Sequence, residues 1–265
     1  MILNNNLKMM ITAGMIVSGL ATATEQPTIS FTPAQKARIG EVAKEYLLMH
    51  PEVLIEVSRR LQIQQQEKQQ QAMAALVLEY HDALLNDKAT PTYGPKDAKV
   101  AVIEFFDYQC SVCARQAPVL KALMKANPQV RYVFKEWPIF AQRWEPSLMA
   151  AKTGLQIWLE KGADAYLTYH NALYATGHYE GRLTPSDISR AEMQAGSLKS
   201  KNDSMLEVLA RTDSLAQSLG LRDTPAMIVM PTKNAVADNV TVLPGGADQA
   251  SLQEAINKAA GNVKK

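Results

Sequence analysis

The chain has 265 residues, 47% of them apolar, with two cysteines and a formal charge of +2. That length and apolar content suffice for one sizeable core plus an accessory region. The near-neutral balance gives no electrostatic case for nucleic acid or a membrane surface, and a single cysteine pair excludes a multi-bridge disulfide scaffold.

Residues 1–8 carry one positive side chain, Lys8; residues 9–20 form an apolar run, and Ala21-Thr22-Ala23 is a small-x-small cleavage site. The pattern predicts a secretory signal peptide, residues 1–23, cut after Ala23. The run is well short of the roughly 20 residues a membrane-spanning helix needs. An uncleaved anchor is the alternative, and no cysteine follows the cleavage point to take a lipid.

A helix is expected from Thr32-Pro33-Ala34-Gln35, which combines an N-cap, proline at the first helical position and a capping-box glutamine. Ile39, Val42, Tyr46 and Leu47 then recur at helical spacing, His50-Pro51 marks a break, and Val53, Leu54, Val57 and Leu61 resume the stripe. Residues 62–71 are rich in glutamine before Met73, Leu76, Val77, Tyr80 and Leu84 bring the apolar face back. A helix that is polar between apolar ends cannot be packed along its whole length in one core. Residues 24–89 are therefore read as a helical oligomerisation extension, with a solvated surface helix as the alternative.

A turn-rich linker, Thr90-Pro91-Thr92-Tyr93-Gly94-Pro95, opens the next region, residues 90–265. Residues 99–106 are a nearly continuous apolar run, as expected of a strand buried on both faces. Glu104 interrupts it. A buried carboxylate is costly to ionise, so a raised pKa and proton exchange with Cys113 are one reading of Glu104; a solvated strand-end residue is the other.

Cys110 and Cys113 follow at a strand-to-helix junction, with Ser111 and Val112 between them. At the first position of that junction, free backbone N–H groups and the helix dipole stabilise a Cys110 thiolate. Cys113, one turn on, is placed to attack a mixed disulfide formed at Cys110, which is thiol-disulfide exchange chemistry. The helix continues through Ala117, Leu120, Leu123 and Met124, with a kink expected at Pro118 and an end at Asn127-Pro128. Residues 130–137 alternate as a strand, which completes a βαβ unit. Lys135 is either the charge partner of Glu104 or a surface lysine.

Residues 143–220 read as helical throughout, with starts at Glu145-Pro146 and Thr184-Pro185 and a last helix carrying Met205, Leu209 and Leu215. His170 and His178 fall there without other ligands at metal spacing, and are read as surface or packing residues. Arg222-Asp223-Thr224-Pro225 then precedes an apolar strand; the proline is either an ordinary trans residue at a strand start or a cis peptide, and its pairing with the two-cysteine motif at the carboxyl end of one sheet favours a cis Thr224–Pro225 bond. Residues 239–243 supply a hairpin partner, Gly245-Gly246 a turn, and Ser251-Leu252-Gln253-Glu254 the capping box of a final helix. The order of elements is that of an α/β chain with a thioredoxin fold and an inserted helical subdomain, preceded by a helical extension.

The run Glu104-Phe105-Phe106-Asp107-Tyr108-Gln109-Cys110-Ser111-Val112-Cys113, taken with Thr224-Pro225-Ala226 and the insert between, resembles the bacterial DsbA-like thiol-disulfide oxidoreductases over about residues 90–262. Tyr46-Leu47-Leu48-Met49-His50-Pro51-Glu52-Val53-Leu54 is similar to the extension of the oligomeric subgroup that includes the suppressor-of-copper-sensitivity C type. The resemblance implies a periplasmic enzyme without a cofactor, Cys110 as nucleophile, Cys113 as resolving thiol, Thr224 and Pro225 as the loop that holds substrate backbone, and Glu104 as a buried acid. It implies a homodimer or homotrimer through residues 32–86, exported proteins with cysteines as substrates, and a membrane redox partner of DsbB or DsbD type. Strongly oxidising members have proline and histidine between the cysteines; Ser111 and Val112 imply a higher Cys110 pKa and a less oxidising pair. Threonine before the proline is the choice of disulfide isomerases, so an isomerase and oxidoreductase is expected. A monomeric dithiol oxidase and a copper-binding redox protein are the alternatives.

Overall fold

The computed structural model describes residues 31–199 and 205–261; the signal-peptide reading lies outside them. The helices in chain order are α1 (Pro33–Met49), α2 (Glu52–Glu79), α3 (His81–Leu85), α4 (Ser111–Ala126), α5 (Glu145–Lys161), α6 (Ala163–Ala175), α7 (Pro185–Ala195), α8 (Met205–Ser218) and α9 (Gln249–Ala259). The strands are β1 (Thr92–Tyr93), β2 (Val100–Phe106), β3 (Arg131–Glu136), β4 (Ala226–Pro231) and β5 (Thr241–Pro244). Two compact units result, Met1–Ser58 and Arg59–Lys265.

In the first unit, Thr32 caps α1 through the expected box: its Oγ1 accepts from Gln35 N, and Gln35 Oε1 accepts from Thr32 N. The helix stops at Met49 and α2 opens at Glu52, as the proline at position 51 predicts. No residue of α1 is buried, and Ile39, Val42 and Tyr46 lie exposed along it.

The second unit is built on a sheet of order β1-β3-β2-β4-β5, with β2 and β3 parallel and the other pairs antiparallel. All seven residues of β2 are buried, because helices cover both faces. On one face Val100, Val102 and Phe106 pack with α4, α9 and the insert helices α5, α6 and α7. On the other, Ala101, Ile103 and Phe105 pack with Ala74 and Val77 of α2, Leu84 and Leu85 of α3, and Leu215 near the end of α8. The last turns of α2 thus belong to the core of this unit. Gln70, in the glutamine-rich stretch, bonds both ways with residue 242 on the edge strand β5: Nε2 donates to Val242 O at 2.8 Å and Oε1 accepts from Val242 N at 3.3 Å. An edge strand so occupied is less open to pairing with another chain.

Period-two alternation along β2 and β3 decides where the buried charges point. Glu104 follows Val102 and Phe106 onto the α4 face, and it is buried, which removes the solvated strand-end reading. Lys135 follows Val133 onto the opposite face. It is therefore neither the partner of Glu104 nor a surface lysine: it is buried, and Nζ donates to Ala83 O at 2.8 Å and Thr90 Oγ1 at 3.0 Å.

Other boundaries differ from the sequence expectation. The linker contains β1, which pairs with β3 through Thr92 and Tyr93. The helix read through residue 86 breaks near Tyr80, and α4 runs through Pro118 as one element. The insert has an additional helix, α6, which holds His170 in the core. Asp248, not Ser251, caps α9, accepting from Ser251 N at 2.7 Å. Pairing with β3 makes β1, whereas the Asp248 cap is a local hydrogen bond three residues along the chain.

Burial lowers the Lys135 pKa to about 8 from 10.5. The unfolded chain holds that proton up to its higher pKa, so folding is favoured as pH rises from about 8 toward the unfolded value. Urea unfolding of the intact chain and of Lys135→Met is expected to show the intact chain gaining on the variant over that window, by at most about 1.4 kcal/mol per pH unit. A constant difference from pH 7 to 10 refutes this reading of Lys135.

Candidate functional site

Asp107 shapes the turn between β2 and α4. Its buried carboxylate accepts from Gln109 N at 2.8 Å, Phe140 N at 2.9 Å and Ser147 Oγ at 2.8 Å, and its backbone carbonyl accepts from Cys110 N at 3.1 Å. Gln109 ties the same turn to the insert: its carbonyl accepts from Glu180 N and its Oε1 from Gly181 N, both at 2.9 Å. Cys110 is left at the N-cap of α4, where the first amides of the helix have no intrahelical partner.

Both cysteines are free thiols. Cys110 Sγ accepts from Cys113 N at 3.4 Å and its S–H donates to Thr224 O at 3.2 Å. The Thr224–Pro225 bond is cis, as expected, and the loop carries Thr224 O against the sulfur from the start of β4. The Thr224 hydroxyl is buried without another partner, which leaves its O–H available to a thiolate.

The two thiols differ in acidity. A hydrogen bond from Cys113, with further donors from the Thr224 side chain and the amides of Cys113 and Val112, overcomes burial and lowers the Cys110 pKa to about 6. Cys113 is pushed up, first by burial and then by the hydrogen bond and charge of Cys110 and the charge of Glu104. At neutral pH the pair holds one thiolate, at Cys110. Glu104 sits on the same sheet face, its pKa raised to about 8 by burial and then by the Cys110 charge, and its Oε2 is buried without a partner. No hydrogen bond joins its carboxyl to either cysteine among the described residues.

Several residues of the site were not singled out from sequence. Gln116, one turn beyond Cys113, accepts from Ala247 N at 3.0 Å through Oε1. A side chain at Gly246 would meet that oxygen at 2.6 Å and Pro225 Cγ at 3.1 Å, and φ there is +84°, so only glycine lets the turn after β5 close on α4 and the Pro225 loop. Deeper on the α4 face, Glu136 Oε1 accepts from Tyr108 OH at 3.0 Å and Tyr166 OH at 2.8 Å, while Tyr108 OH lies 3.3 Å from His170 Nδ1. Burial pushes the Glu136 pKa well up, toward its neutral form, and lowers that of His170 to about 3, which leaves His170 neutral at pH 7. Glu136, at the end of β3, carries no signal of its own in the sequence.

Residues 86–242 match the Thioredoxin family, and residues 35–68 match the family described as the copper resistance protein ScsC N-terminal domain. Among solved structures, BcfH of Salmonella enterica Typhimurium is similar at 42% identity, covering 85% of this chain and 96% of that one, with a TM-score of 0.67. Proteus mirabilis ScsC in a transitional conformation is similar at 28% identity, covering 88% and 99%, with a TM-score of 0.60. A periplasmic thioredoxin-like protein from Salmonella enterica serovar Typhimurium is similar at 27% identity, covering 68% and 95%, with a TM-score of 0.58. Of the curated relatives, the Na(+)/H(+) antiporter NhaA 3 of Salinispora tropica is 29% identical over 97 residues; the chain spans only 14% of that protein's length. The chain belongs to the thioredoxin family. Within it, this is an ScsC-like, DsbA-like thiol-disulfide oxidoreductase with a two-cysteine pair.

Thiolate absorbance of the reduced protein is expected to titrate at about pH 6. Thr224→Val, which removes the free hydroxyl, is expected to raise that midpoint, and Cys113→Ala to raise it further. A midpoint near the free thiol value of about 8.5 in the intact protein contradicts the donor set described.

Proposed function

We propose that this chain is a periplasmic, homo-oligomeric disulfide isomerase and oxidoreductase acting on exported proteins. The observation that carries the chemistry is one acidified thiol at a helix N-terminus, against the Thr224 carbonyl, beside a second thiol held protonated. A Cys110 pKa of about 6 lies between the roughly 3.5 of a strong oxidant and the roughly 7 of thioredoxin. That value suits a pair able to act in both directions, in keeping with the lack of histidine between the cysteines.

In reshuffling, the Cys110 thiolate attacks one sulfur of a substrate disulfide, forming a mixed disulfide and releasing the other sulfur as a thiolate. A substrate thiolate then attacks the mixed disulfide, re-pairs the substrate and restores Cys110, with no net electron transfer. In oxidation, two substrate thiols pass two electrons and two protons to the Cys110–Cys113 disulfide, and a membrane partner of DsbB or DsbD type re-oxidises or resets the pair. Thr224 and Pro225 hold the substrate backbone beside Cys110. The ionised form of Glu104, a minority of roughly a tenth at pH 7, takes the Cys113 proton as Cys113 attacks the mixed disulfide; a pKa of about 8, which makes that carboxylate a strong base, and its unpartnered oxygen support the role.

The exposed stripe of Ile39, Val42 and Tyr46 on α1 supports assembly through the amino-terminal extension. In this reading residues 1–23 are the export signal, 24–89 the extension and 90–265 the catalytic region. Bringing several Cys110 sites together raises the effective concentration of a second site for a bound substrate.

Reactivation of scrambled, wrongly paired ribonuclease tests the proposal, using the exported chain and a version starting at Arg59, which keeps the α2 residues of the sheet core. The full chain is expected to sediment as a dimer or trimer and to reactivate; the shorter one is expected to be monomeric, to oxidise a reduced peptide, and to lose most reactivation. Oxidation without reactivation by both would identify a monomeric-type dithiol oxidase. Glu104→Gln is expected to slow release of a trapped mixed disulfide at pH 7 by tenfold or more while leaving the Cys110 alkylation rate within about threefold. Equal release rates remove Glu104 from the mechanism.

A further inference from the structure

On the α4 face, away from Cys110, the second unit holds a cavity of about 490 Å³ that the thiol chemistry does not use. That volume is within the range of small-molecule sites, roughly 300–1,000 Å³. Its walls follow from the packing of three elements. Helical spacing puts Leu120 and Met124 of α4 on one side with Lys121 and Lys125 beside them. The rings of Tyr132 and Phe134 on β3 lie across the floor, and Leu167 and Asn171 of α6 stand opposite. Gly94, just after the two-residue strand β1, also lines the cavity; at its φ of +97° a Cβ would collide with the Val130 carbonyl oxygen, so only glycine fits there.

The charge around the cavity has one sign. No carboxylate lines it, and neither Lys121 nor Lys125 has an ion pair among the described residues. His170 reaches the wall but is neutral, so both positive charges belong to exposed lysines one helical turn apart. An apolar interior with two unpaired cations at its rim is complementary to an apolar tail with an anionic head. A peptide strand fits less well, because its N–H and C=O groups would be desolvated against walls that offer little beyond Asn171 to bond them.

We infer that this cavity is a binding site for a small amphipathic carboxylate of the fatty-acid class, its acyl chain between α4 and α6 and its head group held by Lys121 and Lys125. The site is independent of the proposed isomerase activity and is scored by binding alone.

Calorimetric titration of the full chain with decanoate, below its micelle concentration, tests the inference against 1-decanol and decyltrimethylammonium. Saturable one-to-one binding of decanoate is expected, with the cationic amphiphile at least tenfold weaker. The double variant Lys121→Ala, Lys125→Ala removes both charge-assisted partners of the head group and is expected to weaken decanoate by about tenfold or more, and to leave 1-decanol unchanged. Lys36→Ala with Lys44→Ala on α1 is the control and is expected to leave all three unchanged. Leu167→Trp fills the cavity and is expected to abolish binding, with the Cys110 titration retained as evidence of a folded chain. No saturable binding, equal affinity for the three amphiphiles, or unchanged decanoate affinity in the Lys121, Lys125 variant overturns the inference.

Discussion

A sulfur anion must be stabilised where burial opposes it, and the arrangement around Cys110 meets that requirement with donors taken from two separate parts of the chain. The amides of Val112 and Cys113 and the Cys113 thiol come with the first turn of α4, the second part is Thr224, more than a hundred residues away on the loop before β4, and the two meet only in the fold. Desolvation first, and then the hydrogen bond and charge of Cys110 and the charge of Glu104, keep the proton on Cys113, so two chemically identical side chains in one helical turn acquire opposite protonation. The rest of the second unit holds these donors in register. Asp107 fixes the turn, Gln109 attaches the helical insert to it, and Gln116 attaches the turn at Gly246 that backs the Pro225 loop.

The sheet separates two sets of buried ionisable groups that would otherwise interact. Glu104 and Glu136 share the face with the cysteines, where their neutral forms are favoured and where an uncompensated cation would alter the thiol pair. Lys135 is on the other face, satisfied by α3 and the residue that opens the linker. Adjacent residues 135 and 136 therefore work in different environments, one as a strut for the segment leading into the sheet and one as the acceptor for two tyrosines. Separating a buried lysine from a buried glutamate by a sheet prevents the ion pair that would hold Glu104 charged.

The amino-terminal unit obeys another constraint. Its first helix is well capped and yet buries no residue among those described, so the capping alone contributes little to holding it. The proposed oligomer supplies that burial. The glutamine-rich stretch of α2 separates this apolar stripe from the apolar turns that enter the sheet core, and Gln70 shows that its polarity also serves the edge of β5.

Much of this was legible in the sequence because it depends on short-range chemistry. The spacing of Cys110 and Cys113 at a strand-to-helix junction, the cap at Thr32, the break at residue 51, the proline at 225 and the order of strands around a helical insert all follow from local propensity and period. The facing of side chains and the surroundings of polar groups did not. Lys135 reads as a surface lysine or a partner of Glu104, and Glu136 carries no signal of its own; only the packing of α3 and α6 on opposite sides of β3 buries them. The roles of Asp107, Gln109, Gln116 and Gly246 depend on partners 33 to 131 positions distant in the chain, and β1 exists only because β3 offers an edge to pair with. Local sequence thus determined the redox pair and the order of elements, since these rest on neighbours along the chain. Tertiary structure alone decided which groups lose water and which donors reach them: desolvation raises Cys113, Glu104 and Glu136, while donors brought from α4 and the Thr224 loop outweigh it at Cys110.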